Sequence, residues 1–298
     1  MQHNILFIFK EEEITIFIND IEFPDQIINS IENNNLVIFA GAGVSMGEPT
    51  NLPDFNKLTI NIARGSGKIF NSSNDTPERF LGELEKQDVP VQKLASNQLD
   101  EHNLQPNQYH KSLVELFPKN DIKIVTTNYD LMLEETCENL NIDTKIYTNP
   151  AFPRGGNFSG IVHLHGKVGE FQNMVLTDSD FGRAYMVYGE ASRFLSQLFN
   201  SDYTVLFIGY SYNDTVLRYF TRALPNLTGE KRYIFSNESE KSPHEFLGLT
   251  PIIYDSGDYE NLYNTIQKIG DFSTRSRTSW DKRIAEISSI KTSEIDLT

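Results

Sequence analysis

Leu36-Val37-Ile38-Phe39-Ala40-Gly41-Ala42-Gly43-Val44-Ser45-Met46-Gly47 opens on an unbroken apolar run and stops abruptly in glycine. An apolar run without polar alternation suits a strand buried on both faces, as in a parallel sheet lying between two layers of helices. Gly41 and Gly43 lack Cβ atoms, so the backbone can turn sharply and approach a ligand closely. Amides at such a turn are expected to face the oxygens of a diphosphate. A bare Gly-x-Gly is also what an ordinary tight turn looks like, and the rest of the chain has to decide.

Working outward, Tyr203-Thr-Val-Leu-Phe-Ile-Gly209 repeats the pattern of an apolar run that ends in glycine. Asp121 to Thr127, Lys145 to Tyr147, Gly160 to His165, Met174 to Thr177, Arg232 to Phe235 and Pro251 to Tyr254 read as further strands. Helices are expected from Pro24 to Ile31 and from Asp130 to Leu140, around Phe194 to Phe199, from Asp214 to Leu224 and around Tyr259 to Ile266. Strands alternating with helices imply an α/β fold, a Rossmann-like doubly wound parallel sheet whose ligands lie beyond the carboxyl ends of the strands. The block from about 56 to 118 holds helical patterns at Phe55 to Gly65, Pro77 to Lys86, Val91 to Leu99 and Pro106 to Phe117, which reads as an inserted helical module. Residues 1–22 read as an N-terminal extension with a possible hairpin, 23–270 as the nucleotide-binding domain, and 271–298 as a polar tail with one weak pattern at Trp280, Ile284 and Ile287.

The 298 residues carry 41 acidic and 26 basic side chains, a net charge of −15, without a basic run longer than two. A phosphate backbone would meet repulsion over most of such a surface, which argues against nucleic acid as the partner. A small anionic ligand held by backbone amides remains compatible with that charge. No apolar stretch approaches the roughly 18 residues of a membrane helix, and the start has no basic leader, so a cytoplasmic, membrane-free protein is expected. The lone Cys137 rules out an internal disulfide and any zinc site built on several thiolates.

Three more segments put polar groups at predicted strand ends: Thr126-Thr127-Asn128-Tyr129-Asp130, His163-Leu164-His165-Gly166 and Gly209-Tyr210-Ser211-Tyr212-Asn213-Asp214. Each alone has a plain explanation, as a helix cap, a turn or a satisfied core histidine. Their joint placement at one rim is what points to a site. His163 and His165, two apart on a strand, would share a face and raise the question of a metal, but no carboxylate or thiolate stands at a partner spacing. A hydrogen bond from His163 to a neighbour is the preferred reading.

In this order, Gly-Ala-Gly-Val-Ser (41–45), Pro53-Asp54-Phe55, Thr-Asn-Tyr-Asp (127–130), His165-Gly166 and Gly209-Tyr210-Ser211 resemble the motifs of the sirtuin-like family. The closest likeness is to its prokaryotic branch that consumes NAD in antiphage defence. The resemblance implies that Gly41, Ala42, Gly43 and Ser45 surround the NAD diphosphate and that Phe55 covers the nicotinamide ribose. Asn128 would hold water or a ribose hydroxyl beside the anomeric carbon, Asp130 would accept from the nicotinamide amide, and His165 would be the base. Gly209 and Ser211 would contact the adenosine half. It further implies NAD as substrate without a metal, a homo-oligomer, and a regulatory or sensor partner. The chemistry suits those residue types. Cleaving the nicotinamide to ribose bond leaves an oxocarbenium-like sugar, so the protein must place one nucleophile more than it must supply a strong acid.

The chain departs from the family's deacylases in three places. Those enzymes carry a zinc module with two Cys-x-x-Cys pairs after the catalytic histidine, and this chain has no cysteine there. The Gly41 to Pro53 spacing is two residues longer than theirs, and Asn56 stands where an arginine is common. The expected function is an NAD glycohydrolase releasing nicotinamide and ADP-ribose or a cyclic product, a defence effector that depletes NAD. A protein deacylase and a non-catalytic NAD or ADP-ribose sensor are the alternatives, with ADP-ribosyl transfer as a minor one.

Overall fold

The computed structural model describes residues 5–10, 13–100, 104–117, 121–211, 231–255 and 257–274. The expected helix at 214–224, the Tyr212-Asn213-Asp214 end of one motif and the tail beyond 274 lie outside the described residues.

The chain runs through β1 (Ile5–Lys10), β2 (Glu13–Ile18), β3 (Ile21–Phe23), α1 (Asp25–Glu32) and β4 (Leu36–Ala40). Then come α2 (Phe55–Gly65), α3 (Pro77–Glu85), α4 (Val91–Leu99) and α5 (Gln108–Glu115). They are followed by β5 (Lys123–Thr126), α6 (Met132–Asn139), β6 (Ile146–Thr148), β7 (Gly160–His163), α7 (Asp178–Gly182) and α8 (Glu190–Phe199). Last are β8 (Thr204–Ile208), β9 (Arg232–Ser236), α9 (Lys241–Phe246), β10 (Thr250–Ile253) and α10 (Tyr259–Thr274).

Seven strands form one sheet in the order β10-β9-β8-β4-β5-β7-β6, with every neighbouring pair parallel. The two central strands explain why their sequences lack polar residues. Leu36, Ile38 and Ala40 of β4 and Leu206 and Ile208 of β8 point into a core shared with α1, α5, α6 and α10. Val37 and Phe39, with Val205 and Phe207, point to the opposite face, against α8. There Phe39 meets Phe207 at 5.0 Å and Phe199 at 5.7 Å between ring centroids. Burial of one such ring contributes about 1.5–3 kcal/mol.

The antiparallel ribbon β1-β2-β3 adds Ile16, Ile18, Ile21 and Phe23 to the first core, and Phe23 packs its ring on Phe235 of β9. Helices α2, α3 and α4 gather around a third cluster, with Leu58, Ile62, Leu81 and Val91 at its centre and Val168, Met174 and Leu176 joining from the segment after β7. This cluster sits against Tyr129 and Leu131, just past the carboxyl end of β5. Helix α5 instead packs into the first core through Leu113 and Val114.

The expected strand at Met174 to Thr177 is extended but unpaired. Its amides find other acceptors: Val175 donates to the carbonyl of His165 at 2.8 Å, and Leu176 and Thr177 donate to the Asp180 carboxylate at 3.1 and 3.0 Å. An apolar run therefore serves as a helix lead-in rather than an edge strand.

Connection order locates the crevice. The chain leaves β4 toward β5 on one side, whereas β9 continues from β8 on the other, and β4 and β8 are neighbours. Loops leaving two adjacent parallel strands in opposite directions open a gap between them, and ligands of doubly wound sheets bind there.

Candidate functional site

At this gap the glycine loop and the end of β8 are bound to each other. Gly41 N–H donates to the Ile208 carbonyl at 2.8 Å and Gly43 N–H to the Gly209 carbonyl at 2.9 Å. A Cβ on Gly41 would stand 2.7 Å from the Gly209 oxygen, and one on Gly43 would stand 2.8 Å from the Gly209 Cα. Gly209 itself has φ +76°, a left-handed conformation that a side chain disfavours. The amides of Gly41 and Gly43, expected to face a diphosphate, are thus engaged with β8. The missing side chains serve the approach of two backbones. Past Gly41 the chain enters a tight helical turn, Ala42–Ser45, which buries Val44 and Ser45.

Ser45 is the hub of a buried network drawn from three segments. Its hydroxyl donates to Asp130 Oδ2 at 2.9 Å and accepts from Asn128 Nδ2 at 3.1 Å. The second donor to Ser45 follows from bookkeeping at His110. Asn107 N–H points at His110 Nδ1 from 3.1 Å, so Nδ1 is the acceptor, the proton sits on Nε2, and Nε2 donates to Ser45 Oγ at 3.1 Å. Burial pushes the His110 imidazole down to about 3, in keeping with this neutral form. Burial raises the Asp130 carboxyl above the ordinary carboxylate value, opposed by hydrogen bonds from Met132 N–H and the Ser45 hydroxyl.

Asn128, half-buried, uses the same amide group to reach the Gly41 carbonyl at 3.1 Å, so the β5 end and the glycine loop are cross-braced. Thr126 Oγ1 supports it from below, donating to the Ala40 carbonyl at 2.9 Å and accepting from Asn128 N–H at 3.0 Å. Thr127 Oγ1 lies 3.0 Å from the hydroxyl of Tyr210, whose ring lies against Gly41.

His163 and His165 do not share surroundings, because the strand ends between them. His163, fully buried, sets Nδ1 3.1 Å from the Asn128 carbonyl and Nε2 2.8 Å from Glu134 of α6. Both partners are acceptors, so both ring nitrogens must carry protons. Burial opposes that charge, but the Glu134 carboxylate, the Asn128 carbonyl and the charge on Asp130 together raise the imidazole above its ordinary value. This is the neighbour bond expected of His163. It also fixes the backbone of Asn128.

His165 is 2% exposed and stands among aromatic rings: Phe181 edge-on at 5.1 Å, Tyr185 at 6.0 Å and Tyr129 at 6.5 Å between centroids. Its Nε2 lies 2.8 Å from the Tyr185 hydroxyl. Burial without a charged partner pushes this imidazole down to about 3. Phe55 begins α2 and, like Tyr129, packs against the third cluster. Ser211 is exposed at the end of the described stretch that follows Gly209.

Asn128, Asp130, Ser45, Gly41, Gly43 and Gly209 therefore meet at the β4, β5 and β8 ends, and His165 joins them through Tyr129. Sequence reasoning passed over His110 and Asn107, although Asn-x-x-His at a helix start has the spacing of a capping box, in which the fourth residue returns to the first. Glu134 and Tyr185 carried no local signal. A cavity of about 540 Å³ beside α6 and β6 includes Glu134, Thr148 and Lys167 but none of the expected site residues, and the hydrogen-bond geometry defines the site better than this hollow does. Among the described residues no cluster of three metal-ligating side chains occurs, and no helix is long and apolar enough to cross a membrane.

Residues 122–249 match the family model described as SIR2-like domain. The chain is 24% identical over 286 residues to the Uncharacterized protein y4cA of Sinorhizobium fredii, an alignment covering 84% of this chain and 24% of that protein. It thus spans about a quarter of the length of that relative. A solved chain from work on the mechanism and regulation of Sir2 enzymes aligns at 14% identity with a TM-score of 0.42, covering 85% of this chain and 100% of that one.

Proposed function

We propose, from the premise that the chain is sirtuin-like, that it is an NAD glycohydrolase releasing nicotinamide and ADP-ribose. The observation that carries the reading is the bracing of the Asn128 amide between the Gly41 carbonyl and Ser45 Oγ at the switch-point crevice. A side chain held this way can present its remaining oxygen to water beside the anomeric carbon without paying orientational entropy during the reaction. Water then adds at that carbon as the bond to nicotinamide breaks, the bonding pair leaves with the pyridine nitrogen, and the water proton passes to solvent. Asp130 would accept from the nicotinamide amide, and Phe55 would cover the ribose. Ala42 and the Gly41–Gly43 turn would border the diphosphate, with Ser45 bracing that turn from behind and Gly209 and Ser211 toward adenosine.

The aromatic box around His165 favours a small nucleophile over an acylated peptide, because Phe181 and Tyr185 occupy the space beside the ring. Purified protein given NAD is expected to release nicotinamide without any acylated peptide. Release that depends strictly on acyl-lysine would establish the deacylase instead, and binding without turnover in any assembled state would establish the sensor.

Unchecked hydrolysis would drain a shared cofactor, so activity is proposed to be gated by self-assembly or by a regulatory partner, as befits an effector in defence. Equal specific activity in dilute monomer and in the assembled state would refute the gate while leaving the hydrolase standing.

A further inference from the structure

We infer that Tyr185 is a positioning residue for His165, its hydroxyl donating to Nε2 so that the ring is held in one orientation with its proton on Nδ1. This deepens the glycohydrolase reading and rests on it for its kinetic consequence, though not for its structural one.

The carrier of Tyr185 is unusual. Directly after α7, residues Arg183–Val187 form a π-helical turn, a wide coil that proteins seldom use and that concentrates at functional sites. The turn rotates successive side chains apart: Ala184 is buried and Tyr185 points inward, whereas Met186, Val187 and Tyr188 are 86%, 73% and 62% exposed. Gly189, at φ +68°, then redirects the chain into α8. Ser192 of α8 donates to the Tyr185 carbonyl at 2.6 Å and fixes the backbone behind the ring. In front of it Phe181 stacks on Tyr185 with planes 16° apart at 5.9 Å. The phenol is therefore clamped between the Phe181 ring and the α8 anchor, with its hydroxyl 2.8 Å from Nε2.

The direction of that hydrogen bond follows from the partners. A phenol is a better donor than acceptor, and a neutral imidazole has one nitrogen free to accept. Among the described residues, the titratable groups facing the His165 ring are the phenols of Tyr129 and Tyr185, and neither supplies negative charge near neutrality. His163, two residues earlier, faces a carboxylate and holds two protons. One short strand end thus presents two imidazoles in different states, and Tyr185 sets the second.

Nitrogen-15 NMR of the imidazoles in the full chain tests this without reference to activity. In the wild type, His165 Nε2 is expected to show the shift of an unprotonated acceptor and Nδ1 that of a protonated nitrogen. Tyr185→Phe, which keeps the ring and its packing, is expected to blur this into a tautomer mixture. A protonated Nε2 in the wild type, or an unchanged pattern in Tyr185→Phe, overturns the assignment. In the nicotinamide assay the same variant is expected to lose roughly tenfold in kcat with KM nearly unchanged, the size of one hydrogen bond. An unaltered kcat, or a loss confined to KM, also overturns it. Absence of turnover in the wild type would instead remove the glycohydrolase reading and leave the NMR result to stand on its own.

Discussion

The hydroxyl of Ser45 reaches across 85 residues of chain to donate to Asp130 at 2.9 Å, while it accepts from Asn128 and from His110. One oxygen thereby uses all its hydrogen-bonding capacity and ties the β4 loop, the β5 end and the start of α5 together. Ser45→Ala would leave the His110 N–H, the Asn128 amide and the Asp130 carboxylate each one partner short in a buried place. A loss of about 1–3 kcal/mol of unfolding free energy is expected. Urea titration measures it, and a change below a few tenths would show that the hub is not structural.

Asn128→Ala removes the amide that braces the crevice, and His165→Ala removes the boxed imidazole. Nicotinamide release is expected to fall by about 10²-fold or more for each. Circular dichroism should show both proteins folded. Retention of half the wild-type rate by either would take that residue out of the chemistry.

His163 makes stability depend on pH in a particular sense. Its folded-state pKa lies above the unfolded value, so its contribution is complete below about pH 6.5 and disappears as pH rises through the folded value. The neutral imidazoles His110, His165 and His244, pushed down to about 3, 3 and 4, act oppositely and weaken the fold as pH falls. They are common to both proteins when wild type is compared with His163→Gln, and they cancel. The gap in Tm between the two should be widest near pH 6 and shrink on the alkaline side, by roughly the size of the lost charge-assisted hydrogen bonds. A gap independent of pH would mean that His163 is neutral in the fold.

The same charge states shape the rate profile. With its imidazole held near 3, His165 is neutral from mildly acidic pH upward, so no inflection near pH 6.5 is expected from it. Deprotonation of His163 should loosen its hold on the Asn128 carbonyl and bring kcat down on the alkaline side. A bell-shaped profile of kcat/KM with an acid limb near 6.5 would contradict this division of roles.

Gly43→Ala sets a methyl against the Gly209 backbone at 2.8 Å, where no flexible side chain can yield. One of the two loops must move. A loss of roughly 1–3 kcal/mol is expected, together with weakened NAD binding, which calorimetry would detect. Unchanged binding would imply that the contact is dispensable.

How far the sequence could be read depended on the kind of signal. β4 and β8 were legible because a strand buried on both sides has to be apolar throughout, and α2, α3 and α4 because their apolar faces keep helical spacing. Met174 to Thr177 misled for the same reason: the side chains are buried, but whether amides pair with a strand or with an Asp180 carboxylate is decided by residues outside the run. The short α7 and α9, five and six residues long, carry too few positions to show a period. Asn128, His165 and Ser45 could be picked out from motif order. Their supports could not, since His110 meets Ser45 across 65 positions, and Glu134 meets His163 across 29. Nothing local in Tyr185 announces a histidine waiting twenty residues upstream.

Because the glycine loop is held by the carbonyls of Ile208 and Gly209, its geometry is completed by residues made some 170 codons later. A nascent chain that has emerged only as far as α8, or a proteolytic fragment cut before β8, owns the catalytic asparagine and histidine of the proposed reaction yet lacks the clasp that aligns them. Chains that end before β8 are therefore expected to bind NAD poorly.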